Sequence, residues 1–157
     1  MPILDFSIRA LIAIVAGGAI GLEREINNKS AGLRTNALVA VSAAIFVLIN
    51  LHVTKHMGDP SRIIGQIVTG IGFLGAGVIM HRGINVQGLT TAATIWCSAA
   101  VGCLSGLGMF IETAISVVLI VTVNASFKKT DAWFPRNKTD ATIRESENDQ
   151  SFNQKED

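Results

Sequence analysis

The sequence has little of what marks catalysis, metal binding or nucleic-acid contact. It contains two cysteines, Cys97 and Cys103, with no CxxC pair and no Cys/His cluster. That leaves no zinc-type ligand set, and the two read as small core fillers. Charged residues make up 16% of the chain and nearly cancel, to a formal net charge of +1, which gives no footing for a nucleic-acid partner. No nucleophile, base and oxyanion set can be assembled, so the chain is read as a non-enzyme with no implied cofactor. His52 and His56 share a helix face but lack a third ligand, and the metal question stays open. The residues before the first apolar run, MPILD, hold no Lys or Arg, so the basic start of a cleaved signal peptide is missing. No repeat period relates two halves, which argues against an inverted-repeat transporter within one chain.

What the sequence does have is apolar length. Of 157 residues, 49% are hydrophobic, and the mean hydropathy is +0.45, too high for an ordinary soluble domain. Five stretches approach or reach the length that crosses a hydrocarbon core of about 30 Å: residues 6–22, 36–53, 63–80, 89–105 and 109–127. The last two have so short a connection that they form a tight helical hairpin. Basic residues concentrate on one side: Arg24, Lys29, Arg34, Arg82, Lys128, Lys129, Arg136 and Lys138, against Lys55 and Arg62. By the positive-inside rule this predicts an all-α polytopic membrane protein. It would be a compact bundle of five transmembrane helices, N-terminus outside and C-terminus inside. Residues 1–127 form this transmembrane domain; residues 128–157 are a basic interfacial segment and a polar tail too poor in apolar residues to fold alone.

The stretch GIGFLGAG, residues 70–77, begins with the spacing of a dinucleotide loop. That fingerprint needs a preceding strand and a later acidic residue, whereas here the glycines lie inside an uncharged run. Glycines in a membrane helix instead let backbones approach. At about 100° per residue, Gly65, Thr69, Gly72 and Ala76 share one face of the third helix, with Gly70 and Gly77 on another. Gly75 completes the set. The first helix offers Ala13, Gly17 and Gly21, and the fourth offers Thr90, Thr91, Thr94, Ser98 and Gly102. The expectation is a third helix at the centre of the bundle, splayed by Gly72→Leu.

Charge at membrane depth is costly and marks candidate sites. Arg9 and Glu112 fall at similar depth near the outer end and could pair; alternatively Arg9 pairs with Asp5 at i, i+4 or reaches the surface, and Glu112 complements its helix N-terminus. Asp59-Pro60 reads as an N-cap with proline at the first helical position, with Arg62 and Gln66 at the outer mouth. GLERE, residues 21–25, and AGLRTN, residues 31–36, put Glu23, Arg24, Glu25 and Arg34 at the inner interface. They are either a solvated rim or a docking surface.

Four segments in order, GAIGLERE with Arg9 before it, AGLRTNALVAVSAAIF, DPSRIIGQIVTGIGFLGAGVIM and GLTTAATIWCSAAVG, closely resemble the membrane domain of the MgtC/SapB family over roughly residues 9–125. The resemblance implies a bacterial inner-membrane protein associated with growth at low magnesium and, in intracellular pathogens, with survival in macrophages. It implies action on other membrane machinery, such as the proton-translocating ATP synthase or a cation-transport system, with effects on membrane potential. By motif position the family's polar signature falls on Arg9, Glu23, Arg24, Arg34, Thr35, Asp59, Arg62, Gln66, Thr90, Thr91 and Thr94, and its glycine signature on Gly72, Gly75 and Gly77. Two departures are visible: the soluble C-terminal domain of longer members is expected to be absent, and Thr90 stands where some members have Asn. The rival reading is an ion or small-solute carrier acting as a homo-oligomer in the lipid bilayer.

Overall fold

A computed structural model describes residues 2–54, 59–82 and 85–126. Five helices follow one another: α1 (Ile3–Ile26), α2 (Leu33–Val53), α3 (Pro60–Val78), α4 (Leu89–Leu107) and α5 (Phe110–Ser126). The first four are long and apolar enough to cross a membrane. The described part of α5 has 17 residues, or about 26 Å at 1.5 Å per residue, somewhat short of a full span. Lys55, His56, Lys128, Lys129, Trp133, Phe134, Arg136, Lys138 and the polar tail lie outside the described residues.

Local chemistry sets the helix ends. Beyond α1, Asn28 takes a left-handed conformation (φ 52°); its N–H bonds the Glu25 carbonyl at 3.0 Å and the Lys29 N–H bonds that of Arg24 at 2.9 Å. This is a Schellman stop with asparagine in glycine's place. Gly108 (φ 81°) makes the same stop after α4, its N–H on the Ser105 carbonyl and that of Met109 on the Leu104 carbonyl. Only Gly108 and Met109 separate α4 from α5. Asp59 caps α3, its carboxylate accepting from the Ser61 N–H at 2.8 Å and the Ser61 hydroxyl at 2.6 Å. The connection from α3 to α4 carries a short antiparallel hairpin, β1 (Met80–Arg82) with β2 (Asn85–Gln87), in register Met80 to Gln87. After it, Gly88 (φ 91°) lies so close to the Val78 carbonyl that a side chain has no room.

The centre of the bundle is α4, not α3. Of α4's span 56% is buried, against 11% for α3. One face of α4 puts Ala99 and Cys103 against Ala43 and Val47 of α2 and Ile67 of α3. The other puts Val101 against Ala16 and Ile20 of α1, with Val117, Ile120 and Val121 of α5 closing over them. The close backbone approaches belong to α1 and α4. A Cβ on Gly17 would sit 2.5 Å from the Asn36 carbonyl, and one on Gly21 would sit 2.5 Å from the Leu33 Cα. Gly102 lies against the Ala40 carbonyl and Gly106 against Ala44 and Val47. By contrast, a Cβ at Gly65, Gly70, Gly72 or Gly77 would meet nothing within 4 Å, and one at Gly75 only the Ala92 Cβ at 3.6 Å. Within one chain the glycine-rich helix is a flank. The expectation of a central α3 is therefore overturned, because small residues at helical spacing reveal a shallow face without revealing what covers it.

Candidate functional site at the Arg24 end of the bundle

The densest polar arrangement lies where α1 ends and α2 and α4 begin. Arg24, in the last turn of α1, is 2% exposed. Its Nη2 donates to Thr91 Oγ1 at 2.7 Å and to the Ser30 carbonyl at 2.7 Å. Its Nη1 donates to Thr94 Oγ1 at 3.1 Å, and its Nε is shared between the carbonyls of Ser30 (3.0 Å) and Ala31 (3.2 Å). The Ser30 and Thr91 hydroxyls meet at 2.9 Å, and the Thr94 hydroxyl donates to the Thr90 carbonyl at 2.8 Å. Among the described residues no carboxylate forms an ion pair with this guanidinium; the one ion pair is Asp5 with Arg9. Neutral oxygens hold the buried charge.

A second layer sets the loop. Asn36, fully buried, donates from Nδ2 to the Ala31 and Gly32 carbonyls. Its Oδ1 accepts from the buried Ser98 hydroxyl of α4 at 2.8 Å. Ala31 is held at φ 56°, a conformation unusual for a residue with a Cβ, so the loop is over-determined by these bonds. Glu25 stays exposed and accepts from the Leu33 N–H at 3.0 Å, serving as a distant cap on α2. Glu23, half-buried, accepts from Asn27 Nδ2. Arg34 and Thr35 point outward in the first turn of α2, and Thr90 is exposed on α4.

At the opposite end Arg9 does not reach Glu112. Its Nε pairs with Asp5 at 2.9 Å and its Nη1 donates to the Gly106 carbonyl at 3.0 Å. In return the Ser105 hydroxyl donates to the Arg9 carbonyl at 2.7 Å. Glu112 lies exposed in the first turn of α5. The physical reason is local: Asp5 is one turn away, and the carbonyls ending α4 attract a cation. Arg9 and Arg24, fifteen positions apart on α1 and so about 22 Å along its axis, thus fasten its two ends to the two ends of α4.

Asp59 and Arg62 are exposed at the start of α3, and Gln66 lines a groove between α2 and α3. Glu23 and Asp59 lie beyond opposite ends of α2 and cannot share an ion. Among the described residues no three of His, Cys, Asp and Glu are grouped so as to hold a metal. The site residues that the sequence does not single out are Ser30, Asn36 and Ser105, while Ser98 stands out there only as a small packing residue. For Asn36 and Ser98 the signal is a matched pair of four-residue steps, Ser98-Gly102-Gly106 on α4 and Asn36-Ala40-Ala44 on α2; Ser30 and Ser105 carry no such signal.

Long apolar helices fastened by internal polar contacts define an α-helical membrane protein. The chain belongs to the MgtC family, whose pattern it matches over residues 10–133. It is 55% identical over 113 residues to Protein MgtC of Brucella abortus, covering 72% of this chain and 47% of that protein. It is 49% identical over 124 residues to Protein MgtC of Salmonella typhimurium, covering 79% and 53%. Against an uncharacterised protein of Synechocystis it is 47% identical over 121 residues, covering 77% and 51%. The chain thus spans about half the length of these relatives. No solved structure matches it.

Proposed function

We propose that the chain is a multi-pass, non-enzymatic protein of a bacterial inner membrane, N-terminus outside and C-terminus inside, that binds another membrane protein and helps the cell tolerate low magnesium. The supporting observation is how the intramembrane arginines are used. Arg24 and Arg9 spend their donors on threonine hydroxyls, backbone carbonyls and Asp5, so they hold helices together. A carrier would line a polar path with such groups. The same bonds fix the loop between α1 and α2 in one shape, with Lys29, Arg34 and Thr35 exposed on its rim. A fixed, basic, exposed rim suits docking. In the reading carried by the family resemblance, the partner is the proton-translocating ATP synthase or a cation-transport system, and the consequence is altered membrane potential and survival in macrophages.

The test pairs two assays. Photo-crosslinkers at Lys29 and Arg34, in native membranes under magnesium starvation, are expected to capture one specific membrane protein, while the purified chain in liposomes passes no ions. Selective flux abolished by neutralising Arg9 or Glu112, with no partner captured, would establish the carrier instead.

A further inference from the structure

Between α2 and α3 runs an apolar groove of about 560 Å³. Leu38 and Leu74 line its end toward the α1–α2 loop and Phe46 and Ile63 its other end, with Ser42 and Gln66 the polar side chains on it. The two helices touch at its floor, where Ala43 and Ile67 share a core cluster. The floor is thus closed, and the exposed Leu38, Phe46, Gly70 and Leu74 leave the groove open to the acyl chains of the surrounding lipid. One turn before Leu38 on α2 stand Arg34, its i, i+4 neighbour, and Thr35, its i, i+3 neighbour, both exposed.

That end of the groove keeps donors free beyond the one that the Glu25 carboxylate takes. The first turn of α2 has no acidic residue, and its N-cap residue, Gly32, has no side chain to offer. Glu25 takes the Leu33 N–H and the Gly32 carbonyl takes that of Asn36. The N–H groups of Arg34 and Thr35 have no acceptor among the described residues, and neither does the Arg34 guanidinium. An occupant with a phosphate at one end and a long apolar tail matches both features. We propose that the groove holds an acyl chain of an anionic phospholipid whose phosphate rests on Arg34 and on the N–H groups of Arg34 and Thr35. The inference rests on the membrane location and not on the partner or the magnesium role.

The test uses the purified full chain alone, so its outcome is separate from that of partner capture. In native mass spectrometry with equimolar palmitoyl-oleoyl phosphatidylglycerol and phosphatidylethanolamine, the chain is expected to retain phosphatidylglycerol about five-fold over the zwitterionic lipid, the ratio one basic side chain near a charged headgroup supplies. Arg34→Gln, a change on an exposed side chain, should bring the two lipids level. Gly70→Leu, placed where an added Cβ meets nothing, should fill the groove and cut retention of both. Equal retention by the unaltered chain, an undiminished preference in Arg34→Gln, or full retention in Gly70→Leu would each overturn the proposal. So would crosslinks from Ser42→Cys that place a second copy in the groove.

Discussion

An arginine guanidinium keeps its proton at any accessible pH, so a buried one must be solvated by the protein. At Arg24 the solvent is two threonine hydroxyls and two carbonyls. A lysine carries the same charge but offers its donors from one point and cannot bridge α4 and the loop together. Arg24→Lys is expected to cost roughly 2 kcal/mol, the scale of lost hydrogen bonds to a charged group. The readout is a lower melting temperature in detergent and faster protease cleavage between residues 27 and 32. Glu112→Gln, at an exposed side chain with no partner in that network, should stay within about 0.5 kcal/mol of the parent.

Asp59 gives a pH prediction. The Ser61 hydroxyl, then the Ser61 N–H, with help from the charge on Arg62, hold its carboxyl below the usual range. A lowered carboxyl favours the folded cap above the ordinary carboxylate pKa and loses that contribution as pH falls through the lowered value. Hydrogen exchange in the first turn of α3 should therefore accelerate, beyond its intrinsic pH dependence, as pH falls below the ordinary aspartate range of about 4. Asp59→Asn should flatten that response.

Among the elements, the helices were readable because length and hydropathy follow directly from the solvent a membrane provides. The caps at Asp59-Pro60 and the tight turn between α4 and α5 were readable for equally local reasons. Which helix lies innermost was not. Gly65, Gly70, Gly72 and Gly77 outnumber the glycines of α4, but the decisive fact is that the Ala40 carbonyl comes against Gly102, a contact between helices 62 positions apart. Arg24 was singled out by type and place, while its burial depended on Thr91 and Thr94 arriving from another helix. Asn36 is not marked out by the sequence, because its partners, the loop carbonyls and Ser98, are set by folding. The α2–α4 seam invites a double-mutant cycle of Asn36→Leu with Ser98→Ala. The expected coupling is about 0.6 kcal/mol and no more than about 1.7 kcal/mol, the range of interhelical hydrogen bonds in membranes. Strict additivity would mean that the Asn36–Ser98 bond contributes nothing.

Across the whole molecule, α2 receives the close glycine approaches of both α1 (Gly17, Gly21) and α4 (Gly102, Gly106), two arginines secure the ends of the α1–α4 pair, and α3 stands to one side. Apolar crevices of about 560 and 300 Å³ flank α3, one toward α2 and one toward α4. A helix so placed has one side on the core and the rest facing lipid, which leaves its glycine faces available to whatever the membrane presents.

Tight packing runs through α4 and not through α3, and the stability of two substitutions in detergent decides between them. Gly102→Ala drives a Cβ into the Ala40 carbonyl and should lower the melting temperature by an amount matching about 1–3 kcal/mol of overpacking. Gly72→Leu adds a larger side chain into open space and should leave it unchanged. The reverse result, a tolerated Gly102→Ala beside a collapsed Gly72→Leu, would contradict the architecture described.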